Sequence, residues 1–317
     1  MPLTLIAAAD DDRRRLDRIL RKALRDLPLS AIHRLLRQGA VLVDGKKSDA
    51  NYRVQCGQTI TINSDSGINT PSSPAPPLPC GDKAEILFEG AGLLILNKPA
   101  GIAVHGKKSL EEKALSWLSP KLPPSLSFRP GPLHRLDKPS SGIVAFSASL
   151  EGAHFFSALM QERKLAKQYL AIVEGIIKKE EVWEDSLARD HEKKKTFACE
   201  TCCAKTALTK ISPITSNLEY TLILAEIETG RTHQIRAQAA ERRHPLLGDK
   251  KYGGRPLGSP KTPDDFGFLL HAWRMIFPKG SPLPGIIEAP LPERFKKKLE
   301  EFFGEIPAAV KANRVVR

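Results

Sequence analysis

The chain has 317 residues, long enough for a sizeable core plus an accessory module. With 41% hydrophobic and 27% charged residues it is not a disordered chain, and no apolar run reaches the roughly 18 residues of a membrane span. Lys and Arg number 49 against 36 Asp and Glu, a formal net charge of +13, and this surplus points to a polyanionic partner because each neutralised phosphate releases condensed counterions.

The N-terminus turns acidic at Asp10 without a basic region ahead of an apolar stretch, so no secretory signal is expected. Cys56, Cys80, Cys199, Cys202 and Cys203 follow no regular framework, which fits reduced thiols and a cytoplasmic location. Leu16, Ile19, Leu20, Leu24 and Leu27 recur at helical spacing, and Arg14, Arg15, Arg18, Arg21, Lys22 and Arg25 fill most of the other positions. Ser30 is a suitable N-cap for a second helix through Ile32, Leu35 and Leu36, which Gly39 ends and which carries His33, Arg34 and Arg37. A hairpin follows at V-L-V-D-G-K-K, with Asp44-Gly45 supplying the positive-φ turn, and T-I-T-I is a closing strand. Residues 64–82, dense in Pro, Ser and Gly, read as a semi-rigid linker.

Beyond the linker the pattern shifts. L-L-I-L-N-K and G-I-V-A-F-S read as buried strands and Y-T-L-I-L-A-E-I-E-T as a longer one, while Phe155, Phe156, Leu159 and Met160 share a helix face. This order fits an α+β architecture around one main sheet.

The most informative segment is G-P-L-H-R-L-D-K-P-S-S-G, Gly131 to Gly142. Pro and Gly flank it, so His134, Arg135 and Asp137 belong on a loop feeding the strand G-I-V-A-F-S, where a rigid sheet commonly presents reactive groups. The positive charges of Arg135 and Lys138 favour an ionised Asp137, which could be a nucleophile or base, or half of a surface ion pair.

Two resemblances carry the reading further. The two basic helices and the β unit resemble the S4-like RNA-binding module, through R-L-D at Arg15 to Asp17, L-L-R-Q-G-A-V-L-V-D-G-K from Leu35 to Lys46, and C-G-Q-T-I-T-I from Cys56 to Ile62. Asp44 and Gln58 depart from the usual Asn and Asp. The loop H-R-L-D-K-x-x-S-G is similar to the signature of the RluA-type pseudouridine synthases, and further blocks follow that family's order. These are N-K-P-A-G at Asn97 to Gly101, K-Q-Y-L-A-I-V-E-G at Lys167 to Gly175, and T-G-R-T-H-Q-I-R at Thr229 to Arg236 continuing into H-P-L-L-G-D-K-K-Y-G-G. L-L-H-A-W-R and A-P-L-P-E complete the set.

The resemblance implies a mixed, mainly antiparallel α+β catalytic domain over residues 83–305, preceded by an S4-like module at 14–63. It implies an isomerase of uridine in structured RNA that uses no cofactor and no metal. By position, Asp137 matches the required aspartate, Tyr169 the tyrosine that packs against the target base, and Arg236 the basic residue that orients the aspartate. Ile235 matches a pocket-lining apolar residue. Arg135 matches a residue that fills the stack after a base is flipped out, and His134 is expected to contact RNA beside it. Arg18, Arg21, Lys22, Arg34 and Arg37 are the expected contacts of the N-terminal module.

An inserted Arg can offset part of the unstacking cost, and a Tyr ring offers uracil a sequence-tolerant face. The implied substrate is large-subunit ribosomal RNA, with transfer RNA or a non-catalytic assembly role as alternatives, and the implied state is a monomer. His191 and Cys199, Cys202 and Cys203 lack a second close-spaced ligand pair, so buried thiols are expected rather than zinc. Tyr52, Tyr220 and Tyr252 are expected to be packing residues, and His233 is left without a role.

Overall fold

The computed structural model describes residues 2–24, 27–63, 84–121, 125–190, 192–199, 204–257 and 267–311. The expected linker at 64–82, together with Arg25, His191, Cys80, Cys202 and Cys203, lies outside them.

The first unit comprises β1 (Leu3–Ile6), α1 (Leu16–Ala23), α2 (Leu29–Arg37), β2 (Val41–Val43), β3 (Lys46–Lys47) and β4 (Thr59–Ile62). The strands pair antiparallel in the order β1-β4-β2-β3. Leu16, Ile19 and Leu20 from α1 and Ile32 and Leu36 from α2 meet Val41, Val43, Ile60 and Ile62 in one core, which is why the apolar residues recur at these spacings. Asp44 and Gly45 both have positive φ, as the two-residue hairpin turn requires. The two departures from the S4-like pattern are partners: Gln58 Nε2 donates to Asp44 Oδ2 at 2.9 Å, while Asp44 Oδ1 accepts from the Thr59 N–H at 2.8 Å.

Strand β1 pairs with β4 and so joins this sheet from ahead of residue 14. Two local expectations are corrected. Leu24 leaves helical φ/ψ, so α1 stops at Ala23 and Leu27 reaches the core from the connection. Ser30 sits in the first turn of α2, because Pro28, with its fixed φ, takes the cap position.

The second unit comprises β5 (Glu85–Gly90), β6 (Leu93–Lys98), α3 (Leu110–Leu118), β7 (Gly131–Pro132), β8 (Ser141–Ser147), α4 (Leu150–Gln161), β9 (Ala166–Glu174) and β10 (Glu181–Asp190). There follow β11 (Lys195–Ala198), β12 (Lys205–Ser216), β13 (Tyr220–Ile227), α5 (Gln234–Glu241), β14 (Leu270–Ile276), β15 (Ile286–Glu288), α6 (Glu293–Phe303) and α7 (Ala308–Lys311). Among the described residues one sheet runs β11-β10-β12-β13-β9-β14-β8-β6-β5, with β7 on β8 and β15 on β14. Every pairing is antiparallel except β8 with β14, so the mixed, mainly antiparallel α+β fold is as expected.

The central strands are covered on both faces, which explains their unbroken apolar runs. Leu94, Leu96, Val144, Phe146, Tyr169 and Ala171 face α3 and α5. Leu93, Ile95, Ile143 and Ala145 face Phe156 and Leu159 of α4, and Leu170 and Ile172 face Phe295 and Leu299 of α6. Ser109 and Ser149 cap α3 and α4 by accepting from Glu112 and Gly152 N–H groups.

Candidate active site

Strands β7 and β8 hold the two ends of the loop that carries Asp137. Gly142, the second residue of β8, has φ of 107°, and a Cβ there would meet the Ala272 carbonyl oxygen at 2.1 Å. Only glycine lets β8 and β14 approach this closely, and the loop is anchored on that contact.

Lys98 holds the loop from the other side. It is fully buried, and its ammonium donates to the carbonyls of Pro99 at 3.0 Å, Ile102 at 2.8 Å and Lys138 at 3.1 Å, a set that a protonated amine fills completely. Burial pulls its pKa down to about 7, against an upward pull from Asp137. The Gly101 N–H adds a bond to the same Lys138 carbonyl, so N-K-P-A-G acts as a clamp on the residue after Asp137.

Arg236 organises the Asp137 carboxylate. Its Nη1 donates to Asp137 Oδ2 at 2.7 Å, while Nε and Nη2 grip Asp249 at 2.6 and 2.9 Å in a two-point fork. Burial alone would lower the Arg236 pKa; the two carboxylates outweigh it and hold the guanidinium protonated. Tyr252 and Phe268 cover it, their ring centroids 4.9 and 4.2 Å from Cζ.

Asp137 Oδ1 faces His233, whose Nε2 is 3.7 Å away. Burial chiefly lowers the His233 pKa, to about 4, so the ring is neutral at pH 7 and this is no ion pair. The Tyr252 hydroxyl accepts from the Thr196 N–H at 2.8 Å and lies 2.9 Å from His233 Nδ1. The Tyr252 hydroxyl thereby holds the ring with its other nitrogen, Nε2, turned toward Asp137. His233 itself has φ of 57°, just ahead of α5, a left-handed turn that sets the helix and Arg236 in place.

Tyr169 lies on β9 in the buried cluster that includes Leu136, Ile235 and Phe268. Burial first, and then the charge of Asp137, raises its phenol pKa. Lys167, two residues earlier and therefore on the same face, is buried too, and burial draws it down to about 8.

The structure therefore brings Asp137, Tyr169, Arg236 and Ile235 together. Arg135 is exposed on the same loop. His134 is turned the other way: its Nε2 accepts from the Ala145 N–H at 3.0 Å and the ring stacks on Phe156, with centroids 6.0 Å apart. Burial, with Lys167 adding to it, pulls its pKa to about 3, which keeps Nε2 an acceptor. The half-buried imidazole staples the loop to the sheet and α4.

Arg18, Arg21, Lys22, Arg34 and Arg37 are exposed on α1 and α2. Arg15 pairs with Asp17 at 2.7 Å, and Arg14 reaches Ser127 in the second unit. Cys199 is half-buried, and among the described residues no group of three His, Cys, Asp or Glu could hold a metal ion. Sequence reasoning missed Asp249 and Lys98 and took Tyr252 for packing, although all three sit inside the motif blocks. The available signal was a lone acid in G-D-K-K-Y, between apolar residues and lysines.

Comparisons with known proteins bear on the family and the fold. A family model for RNA pseudouridylate synthase matches residues 92–241, and an S4 domain model matches residues 14–60. The chain is 31% identical to ribosomal large subunit pseudouridine synthase D of Neisseria meningitidis over 88% of its own length and 76% of that protein. It is 30% identical to ribosomal large subunit pseudouridine synthase C of Vibrio vulnificus, over 90% of this chain and 92% of the relative. Among solved structures, human RNA pseudouridylate synthase domain containing 4 superposes with a TM-score of 0.55 at 23% identity, covering 68% of this chain and 92% of that one, a likeness of fold.

Proposed function

This chain belongs to the RNA pseudouridylate synthase family, and on that premise we propose that it isomerises uridine to pseudouridine in large-subunit ribosomal RNA, with Asp137 as the reacting carboxylate. The observation that carries the assignment is the division of labour within one carboxyl group. Oδ2 is held by Arg236, itself fixed by Asp249, while Oδ1 has no donor within hydrogen-bond distance among the described residues. A carboxylate immobilised through one oxygen and open at the other suits attack on the nucleotide or removal of a proton from its sugar.

In this reading the target base leaves its helix, Arg135 fills the gap, and the uracil rests on Tyr169. The cleaved uracil must rotate and rejoin through C5, which requires closed apolar surroundings; Tyr169, Leu136, Ile235 and Phe268, members of one apolar cluster, would line them. Neutral His233 stands beside Oδ1 without neutralising it. Residues 14–63 would carry affinity for RNA and residues 83–305 the chemistry. We further propose that the protein acts in the cytoplasm as a monomer, since the whole site comes from one chain.

The test is a map of pseudouridine across total RNA, with and without the gene, joined to turnover by the purified protein. Loss of one or a few large-subunit positions is expected. Loss confined to transfer RNA would move the substrate, and no loss anywhere with no product in vitro would overturn the assignment.

A further inference from the structure

One buried carboxylate lies away from the reacting centre and joins the two units of the chain. Asp11 closes a 3-10 turn at Ala9–Asp11 and is fully buried. Its Oδ2 accepts from the N–H of Ala8 at 2.9 Å and from that of Leu126 at 3.0 Å. Its Oδ1 accepts from the Ser127 N–H at 2.9 Å, from the Ser127 hydroxyl at shorter range, and from the Ser125 hydroxyl at 3.4 Å. Arg14 Nη1 donates to the same Ser127 oxygen at 2.7 Å. Between the serines, Leu126 packs against the core formed by Leu16, Ile19 and Ile32.

A carboxylate is kept out of water only when donors replace its hydration. Here every donor but the Ala8 amide comes from residues 125–127, over a hundred positions along the chain. The contact combines charge-assisted hydrogen bonds with an apolar plug, and it is specific: in the run Asp10-Asp11-Asp12 only Asp11 is buried. The segment it grips runs straight into β7 and then into the Asp137 loop.

We propose that Asp11 is a latch that holds the RNA-binding module in one pose on the catalytic domain, so that the arginines of α1 and α2 and the Asp137 cleft form a single surface that measures position along a folded RNA. The proposal rests on the RNA-isomerase reading above. A module swinging on a tether adds affinity without geometry, whereas a docked one adds choice of target. Arg14, in this view, serves the latch rather than the RNA.

The experiment compares three full-length proteins: wild type, Asp11→Ala, and the double variant Leu126→Gln/Ser127→Ala, whose changes lie outside the N-terminal unit. Small-angle scattering reads the pose. Pseudouridine mapping and rates are measured on a long large-subunit RNA fragment and on a hairpin too short to reach the module. Both variants should scatter as longer, broader particles and keep the wild-type rate on the hairpin. On the long RNA they should lose on the order of tenfold in kcat/KM and modify additional uridines.

Unchanged scattering, or an unchanged set of modified positions, in the double variant would overturn the proposal even if Asp11→Ala fails to fold. If wild type forms no pseudouridine in any RNA, the functional reading fails, while scattering still decides the latch.

Discussion

The two units use the same residue type in opposite ways. In the N-terminal module Arg18, Arg21, Arg34 and Arg37 stand exposed in water. In the catalytic domain Arg236 is buried, with its donors committed to two carboxylates and its faces covered by aromatic rings. An exposed cation is screened by salt and any one can stand in for another, whereas a buried one has a fixed address and leaves charges stranded when removed. Affinity in this molecule should therefore be spread thinly and chemistry concentrated in a few atoms.

The largest expected effect tests the concentrated side. Asp137→Asn keeps the shape but removes the negative charge, so turnover should drop by about 10²–10⁴-fold or more while melting and RNA binding stay near wild type. Product above a few per cent of the wild-type rate in a tritium-release assay would remove Asp137 from the reacting role.

Arg236→Ala comes next, and it differs in kind because it should damage both activity and fold. Asp249 is 1% exposed and would be left as a buried charge without its fork, a loss of about 3–5 kcal/mol by analogy with broken buried pairs. Urea titration and turnover measured on the same sample should fall together. An active Arg236→Ala protein of normal stability would show that the relay through Asp249 does not matter.

A smaller effect concerns acid. Burial lowers His233 and His271 to about 4 and His134 to about 3 in the folded chain, whereas unfolded histidines titrate near ~6.5. Below that value the unfolded chain binds more protons, so stability present above it is lost as pH falls toward 4 and then 3. The melting temperature should decline between pH 7 and pH 5, with proton uptake on unfolding measurable by calorimetry in buffers of different ionisation enthalpy. A flat profile over that range would contradict the buried, neutral state of these rings.

The smallest effect belongs to the spread-out side. Arg21→Ala/Arg34→Ala should leave kcat unchanged and weaken RNA binding a few-fold, reducing the slope of log affinity against log salt by about 0.7–0.9 for each phosphate no longer neutralised. A change in kcat with an unchanged salt slope would break the contrast between the two units.

Much of this molecule could be read from the linear chain because the signals were local. The hairpin at Asp44-Gly45 follows from a turn that needs positive φ, and the helices of the first unit follow from apolar spacing. The runs in β6 and β8 follow from strands buried on both faces, and Asp137, Tyr169 and Arg236 were found by their places in motif blocks. Where a local rule met a competing one it failed, as when Pro28 displaced Ser30 from the cap of α2.

The remainder was decided only when the chain closed on itself. Arg236 meets Asp137 across 99 residues, and Asp11 meets Ser127 across 116. Nothing in D-D-D marks which acid is buried, and nothing in H-R-L-D says that the histidine turns inward while the arginine faces out. Periodicity and turn chemistry depend on neighbours within a few residues, whereas burial, ion-pair choice and the pKa of a buried group depend on whatever distant segment arrives. The sequence by itself determined the chemistry this chain carries; the tertiary structure decided which atoms of those residues are held and which are left free to react.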